Sequence, residues 1–200
     1  MSHFWRAGAP TMSVKTKSLA LIASMGALGN ALFILSQSMM RWGSQVALDL
    51  SHMGTLVAAV YGGPILGLLT GLVVGVGPGI YYGFMDSLGL LGLFGLPIGK
   101  AITGFSVGLI AKRLGVSGEG SSLKAVLATL VGYVPECLYT IFFFKVLVAV
   151  FLPAIAGFLI AFLVPILIKA WIEMVLMSVY IGALVGNAGF TRFVQRHFMG

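Results

Sequence analysis

Five ionisable side chains stand inside apolar stretches of the sequence: Lys100, Glu136, Lys145, Lys169 and Glu173. A charge in hydrocarbon is costly, so such residues face a bundle interior, pair with one another, or line the path of a ligand or ion. Lys169 and Glu173 lie one helical turn apart and can pair; a structural ion pair and a ligand contact are both open. In Tyr133-Val134-Pro135-Glu136-Cys137-Leu138-Tyr139, the residues Tyr133, Glu136 and Tyr139 share a helical face, and Pro135 frees a backbone carbonyl. They read as a polar pocket wall or, equally, as a kinked helix with self-satisfied hydroxyls. Lys145, near the outer end of its span, either joins that pocket or snorkels to the interface. Asp49 and His52 open a span, where the acid reads as a helix cap. His52 alone makes no metal site.

Other chemistry finds no support in the residues. There is no HExxH, GxSxG or phosphate-binding loop and no carboxylate pair for magnesium, so neither an enzyme nor a cofactor or metal is expected. ATP-driven work would have to borrow its energy from another chain. Cys137 is the single cysteine and has no partner for a disulfide or a CxxC site. The net charge of +7 is that of 12 basic residues against five acidic ones, and the basic residues outside the apolar stretches lie at helix ends, which points to membrane topology rather than to nucleic acid.

The elements that hold these residues follow from composition. Of the 200 residues 59% are apolar and 8% charged, against about 25% charged in soluble domains, so the chain lacks a polar shell. A hydrocarbon core about 30 Å thick takes about 20 apolar residues per helix. The expected fold is an all-α integral membrane protein, residues 1–200 forming one membrane domain. A basic segment, 1–17, precedes a six-helix bundle, 18–188, and a basic tail, 189–200, follows. Spans are expected at 18–36, 50–63, 64–78, 93–113, 124–146 and 163–188. The first is too long for a signal peptide and leads into more membrane. The second and third divide one apolar block at Gly62-Gly63-Pro64, where glycine permits unusual backbone angles and proline removes a donor. Six spans put Arg6, Lys15, Lys17, Lys112, Arg113, Lys124, Arg192 and Arg196 inside and leave Arg41 outside, with both termini cytoplasmic. A single span over the block would move Lys112, Arg113 and Lys124 outside or reverse the N-terminus.

Three outer loops result: 37–49, polar; 79–92, with Tyr81, Tyr82 and Asp86 among glycines; and 147–162, apolar, dipping into the interface or extending the last helix. A pocket is expected in the outer half of the bundle, with Trp42, Gln45, Tyr82, Asp86, Glu136, Tyr139, Lys145, Lys169 and Glu173 as candidates. Three intramembrane lysines against two glutamates lean towards an anionic or carboxylated solute, and the aromatic residues suit a flat ring. The 28 glycines imply close helix contacts. On the first span Ala23, Ala27 and Ala31 recur every four residues, with Ala20 and Ser24 beside them. That strip serves either internal packing or the docking of a partner membrane subunit.

The segment from Leu48-Asp49-Leu50-Ser51-His52 through Gly62-Gly63-Pro64 to Gly67 and Gly71 resembles the substrate-binding S components of energy-coupling factor (ECF) vitamin transporters. So do the glycine-aromatic loop after it, the basic pair Lys112-Arg113 ending the fourth span, and Val164-Pro165-Ile166-Leu167-Ile168-Lys169 opening the last. Tyr139-Thr140-Ile141-Phe142 stands where the family commonly has Asn-Thr and an aromatic. The resemblance implies a non-catalytic, multi-pass subunit in a prokaryotic cell membrane that captures a vitamin-like small molecule from outside. It also implies partners, a transmembrane coupling subunit and a pair of ABC-type ATPases, with Ala20, Ala23, Ala27 and Ala31 as the docking face. The alternative is a stand-alone carrier or channel, proton-coupled through Glu136 and Glu173; an integral-membrane enzyme and a structural membrane protein are the remaining readings.

Overall fold

The computed structural model describes residues 14–39, 41–42, 46–116 and 120–199. Helix α1 spans Val14–Met39, and a two-residue ribbon follows, β1 (Arg41–Trp42) antiparallel to β2 (Val46–Ala47). Helix α2 covers His52–Ile80 and runs into a π-helical turn, Tyr81–Met85; α3 is Gly89–Leu114. Then come α4 (Ser122–Phe142), a π-helical segment (Phe143–Val148), the short α5 (Ala149–Phe151) and α6 (Pro153–Ala161). The chain closes with α7 (Leu163–Gly186), α8 (Ala188–Val194) and a last π-helical turn, Gln195–Met199. Among the described residues, five helical stretches are long and apolar enough to cross a membrane: Lys15–Met39, His52–Met85, Gly89–Leu114, Ser122–Phe151 and Leu163–Gly186. The protein is a helical, multi-pass membrane protein by that measure.

The second stretch does not run straight. Gly63 has φ 80° and ψ −172°, outside the helical region and open to glycine. Beyond it the chain folds back: a Cβ on Gly67 would lie 2.8 Å from the Ala59 Cβ, eight positions earlier. In a continuous helix those residues would stand about 12 Å apart along the axis. The limbs 52–62 and 64–80 are thus antiparallel, turning at the Gly-Gly-Pro break. The first limb is too short to cross a core about 30 Å thick at 1.5 Å per residue.

Glycine then sets the spacing between helices. A Cβ on Gly104 would come within 2.1 Å of the Gly67 carbonyl oxygen, one on Gly71 within 2.3 Å of the Lys100 carbonyl oxygen, and one on Gly75 within 2.2 Å of the Pro97 Cα. The second limb of α2 and α3 therefore meet backbone to backbone, the close approach that drives association in lipid. Asn30 of α1 inserts beside this seam. Its Nδ2 donates to the Val73 carbonyl at 2.9 Å, and its Oδ1 accepts from the Gly77 N–H at 2.8 Å.

These contacts sort the connections into two ends. The Gly63 turn, the α3–α4 connection and the end of α7 share one end with the start of α1; Gly108 lies against Gly63 and Pro64, Gly186 against Ser122, and Gly62 near Leu21. Lys15, Lys112, Arg113, Lys124, Arg192 and Arg196 are exposed there. Gly115 closes α3 in a left-handed cap, with the Val116 N–H on the Ala111 carbonyl and the Gly115 N–H on that of Lys112, where Lys112 and Arg113 suit the dipole. The tail is helical: the Asn187 side chain caps α8, accepting from the Phe190 N–H at 2.9 Å, and Tyr61 reaches Thr191 at 2.9 Å. Residues 79–92 and 147–162 lie at the opposite end. The third of the expected outer loops contains its own helix, α6, which Pro153 opens at a position where its missing N–H costs nothing.

Candidate functional site

The polar residues of the bundle converge on the segment 48–52, which leads from the ribbon into α2. This segment is held on both sides. The Leu50 N–H donates to Ser36 Oγ of α1 at 3.3 Å, and the Asp49 N–H donates to Glu173 Oε1 of α7. Asp49 does not cap α2: the cap position is Ser51, whose side chain makes no capping bond. Asp49 Oδ1 accepts instead from the Ser51 N–H at 2.8 Å, and Oδ2 from Lys100 Nζ at 3.0 Å. Lys100 also donates to Ser51 Oγ at 2.7 Å. Burial alone would raise the Asp49 carboxyl, but the Lys100 ammonium, the His52 ring and the Ser51 hydroxyl hold it well below the usual carboxylate range. The cap expectation fails because a partner on α3 outcompetes the orphan N–H groups of the first turn.

Two further carboxylates close the centre. Glu136 of α4 accepts from Thr103 Oγ1 of α3 and lies 3.4 Å from His52 Nε2. Glu173 of α7 pairs with Lys169 Nζ at 3.1 Å, as the four-residue spacing predicts. Tyr133 is buried, its ring edge-on to His52 at 6.5 Å and to Trp171 at 5.2 Å. Glycine makes room again: a Cβ at Gly99 would stand 3.4 Å from Glu136 Oε1. The shared face of Tyr133, Glu136 and Tyr139 turns inward, and Tyr139 donates its hydroxyl proton to the Gly95 carbonyl at 3.1 Å. This arrangement can bind and orient a polar ligand, but among the described residues no three His, Cys, Asp or Glu side chains converge to hold a metal.

The remaining candidates divide. Tyr82 sits at the outer end, its hydroxyl accepting from Gln37 Nε2 at 3.1 Å and its ring packed on Phe33 and Tyr81. Asp86 is exposed and, among the described residues, accepts from the neighbouring Ser87 hydroxyl at 3.4 Å; the structure does not bring it to the centre. Lys145 is exposed too, because the π-helical segment it occupies turns Phe143 and Phe144 inward in its place. Trp42 pairs its backbone with Val46 in the ribbon, but its side chain, like the whole of Gln45, lies outside the described residues. Asp49, Ser51, His52, Lys100 and Thr103 were missing from the expected pocket. The signal for Lys100 is in the sequence: a lysine in an apolar, glycine-rich helix needs a carboxylate.

On α1 the alanines divide as well. Ala23, Ala27 and Ala31 are exposed and Ala20 half-buried, whereas Leu21, Gly26, Gly29, Phe33 and Ser36 face the bundle. Among the described residues, the bundle leaves Ala23, Ala27 and Ala31 uncovered. Away from the centre, a cavity of 530 Å³ opens between α3 and the outer part of α4, lined by Leu91, Phe94, Ile98, Tyr139, Phe143 and Leu152 among others. It does not coincide with the polar centre, and its apolar lining orients no charged group; Tyr139 alone belongs to both. Compared with protein families, curated proteins and solved structures, the chain matches none.

Proposed function

We propose that this membrane protein is the substrate-capture subunit of an ATP-driven ECF importer in a prokaryotic cell membrane. It crosses the bilayer six times, the second crossing begun by the chain that leads into α2 and finished by the short limb 52–62, with both termini cytoplasmic, and takes a vitamin or related micronutrient from outside. A transmembrane coupling subunit and a pair of ABC-type ATPases complete the transporter. The reading rests on the resemblance of the chain to S components, and one structural observation carries it furthest: α1 turns its small-residue face, Ala23, Ala27 and Ala31, away from its own bundle. Small residues let a second helix approach closely, which is what docking within a bilayer requires. In this reading the charged groups gathered inside the bundle recognise a polar solute, and the 48–52 segment borders them on the ribbon side.

The test replaces Ala27 by Trp. The bulky side chain should block docking while the bundle, which does not touch that face, keeps its thermal stability. Loss of the ATPases from the purified complex at unchanged melting temperature is the expected result; a variant that assembles normally removes the strip from the account. The buried contact of Glu136 with His52 favours a second reading, a stand-alone proton-coupled carrier. Proton-driven solute flux in liposomes holding this chain alone would establish it.

A further inference from the structure

The cavity of 530 Å³ lies towards the end of the bundle opposite the basic one, apart from the polar centre. Two rows of side chains wall it. Tyr139, Phe143, Leu147 and Phe151 recur every four residues from α4 through the π-helical segment to α5, and Phe94 and Ile98 stand across from them on α3. The floor is buried and the rim is not: Phe143 is 3% exposed, against 62% for Phe94, 45% for Ile98 and 65% for Phe151. Phe94 and Ile98 belong to the membrane-crossing stretch Gly89–Leu114, where an exposed face meets hydrocarbon. The rim therefore continues the lipid-facing surface, and the cavity opens sideways into the bilayer.

Its depth fits one leaflet. The α3 side of the lining runs from Leu88 to Ile98, about 15 Å at 1.5 Å per residue and half of a hydrocarbon core about 30 Å thick. The chemistry of the walls is as restrictive. Tyr139 brings the one polar side chain among the lining residues, and its hydroxyl is spent on the Gly95 carbonyl at 3.1 Å. A buried water needs about 2–4 polar partners, so water has no hold here, and an empty space would forfeit the dispersion contacts of its walls. A polar solute would find no group to orient it. We propose that this cavity is a lipid site, which holds the acyl chain of a phospholipid from the leaflet at that end as a resident component of the protein. The inference does not depend on the capture reading, because this lipid is not the transported solute.

Bromine carried on an acyl chain quenches tryptophan by contact, which allows a direct test. The full-length protein, with Trp5, Trp42 and Trp171 replaced by Phe and one reporter added, is reconstituted in phosphatidylcholine bilayers with and without brominated chains. Phe143 and Phe33 are equally buried, 3% exposed each, but Phe33 packs on Tyr81 and Tyr82 instead of lining the cavity. Phe143→Trp should lose its emission in brominated bilayers, as Ile172→Trp on the exposed face of α7 does, whereas Phe33→Trp should keep it. Leu91→Phe, which narrows the cavity from α3, should restore the emission of Phe143→Trp. If the larger ring does not fit at Phe143, beside which a Cβ on Gly95 would already lie 2.2 Å from Cε2, Leu147→Trp reports from the same wall. Emission at the cavity reporter that brominated chains leave intact overturns the proposal, as does equal quenching of Phe33→Trp. Quenching by aqueous iodide in place of the brominated chains would mark a water-filled space and overturn it too, and quenching that Leu91→Phe leaves unchanged takes the acyl chain out of this cavity.

Discussion

Lys100→Met removes one ammonium and keeps much of the side chain's length. Lys100 is 5% exposed and holds Asp49 at 3.0 Å and Ser51 at 2.7 Å, so the change strands the Asp49 carboxylate inside the bundle. Breaking a buried pair from one side costs about 3–5 kcal/mol. Asp49 keeps the Ser51 N–H at 2.8 Å, which places the expected loss at the lower end, about 3 kcal/mol. At about 2–4 °C per kcal/mol for a chain of this size, the melting temperature should fall by about 6–12 °C. Thermal unfolding in detergent measures it. Asp49→Asn alone should also destabilise, by leaving Lys100 without its carboxylate, and the double variant should recover at least about 1.5 kcal/mol relative to the sum of the singles. A single-variant loss under about 1 kcal/mol, or strictly additive losses, would refute the claim that this pair organises the centre.

Other perturbations follow from the same contacts. Gly71→Val puts a side chain where a Cβ already meets the Lys100 carbonyl oxygen at 2.3 Å, so it should abolish a monodisperse preparation by size exclusion, whereas Gly157→Ala, with nothing within 4 Å, should leave the protein intact. Asn30→Leu removes the bonds to Val73 and Gly77 and should cost about 1–3 kcal/mol in thermal unfolding. Lys169→Met separates two roles: loss of uptake by the assembled transporter with little change in melting temperature would place it at the ligand, while lowered stability rescued by Glu173→Gln marks a structural pair. In a Cys137→Ala background, Ser87→Cys should react with an impermeant thiol reagent added outside, and Lys124→Cys and Gln195→Cys only after the membrane is opened; external labelling at 124 contradicts six spans.

Apolar blocks and breakers made much of the architecture legible. Gly62-Gly63-Pro64 announced the fold-back, since a proline without an N–H beside two glycines cannot continue a helix at low cost, and Gly63 takes up φ 80° there. The spacing of Lys169 and Glu173 gave their pair, and that of Tyr133, Glu136 and Tyr139 gave an inward face. Long-range pairing was not legible. Asp49 reads locally as a cap, and only the glycine seam that draws α3 against α2 shows that Lys100 reaches it. The orientation of the alanine strip was equally hidden, because four-residue spacing defines a face without saying what it meets. Lys145 is exposed, as the snorkelling alternative has it, and the π-helical segment Phe143–Val148 in which it stands is one that composition does not mark.

The central claim, that this chain is a capture subunit for an ATPase module, is tested most directly by affinity purification from its native membrane in mild detergent. The account predicts that a second integral membrane subunit and a pair of P-loop ATPases co-elute in fixed stoichiometry, and that Ala27→Trp elutes alone at unchanged melting temperature. A wild-type chain that elutes alone, and that moves solute down an ion gradient in liposomes without ATP, would contradict it.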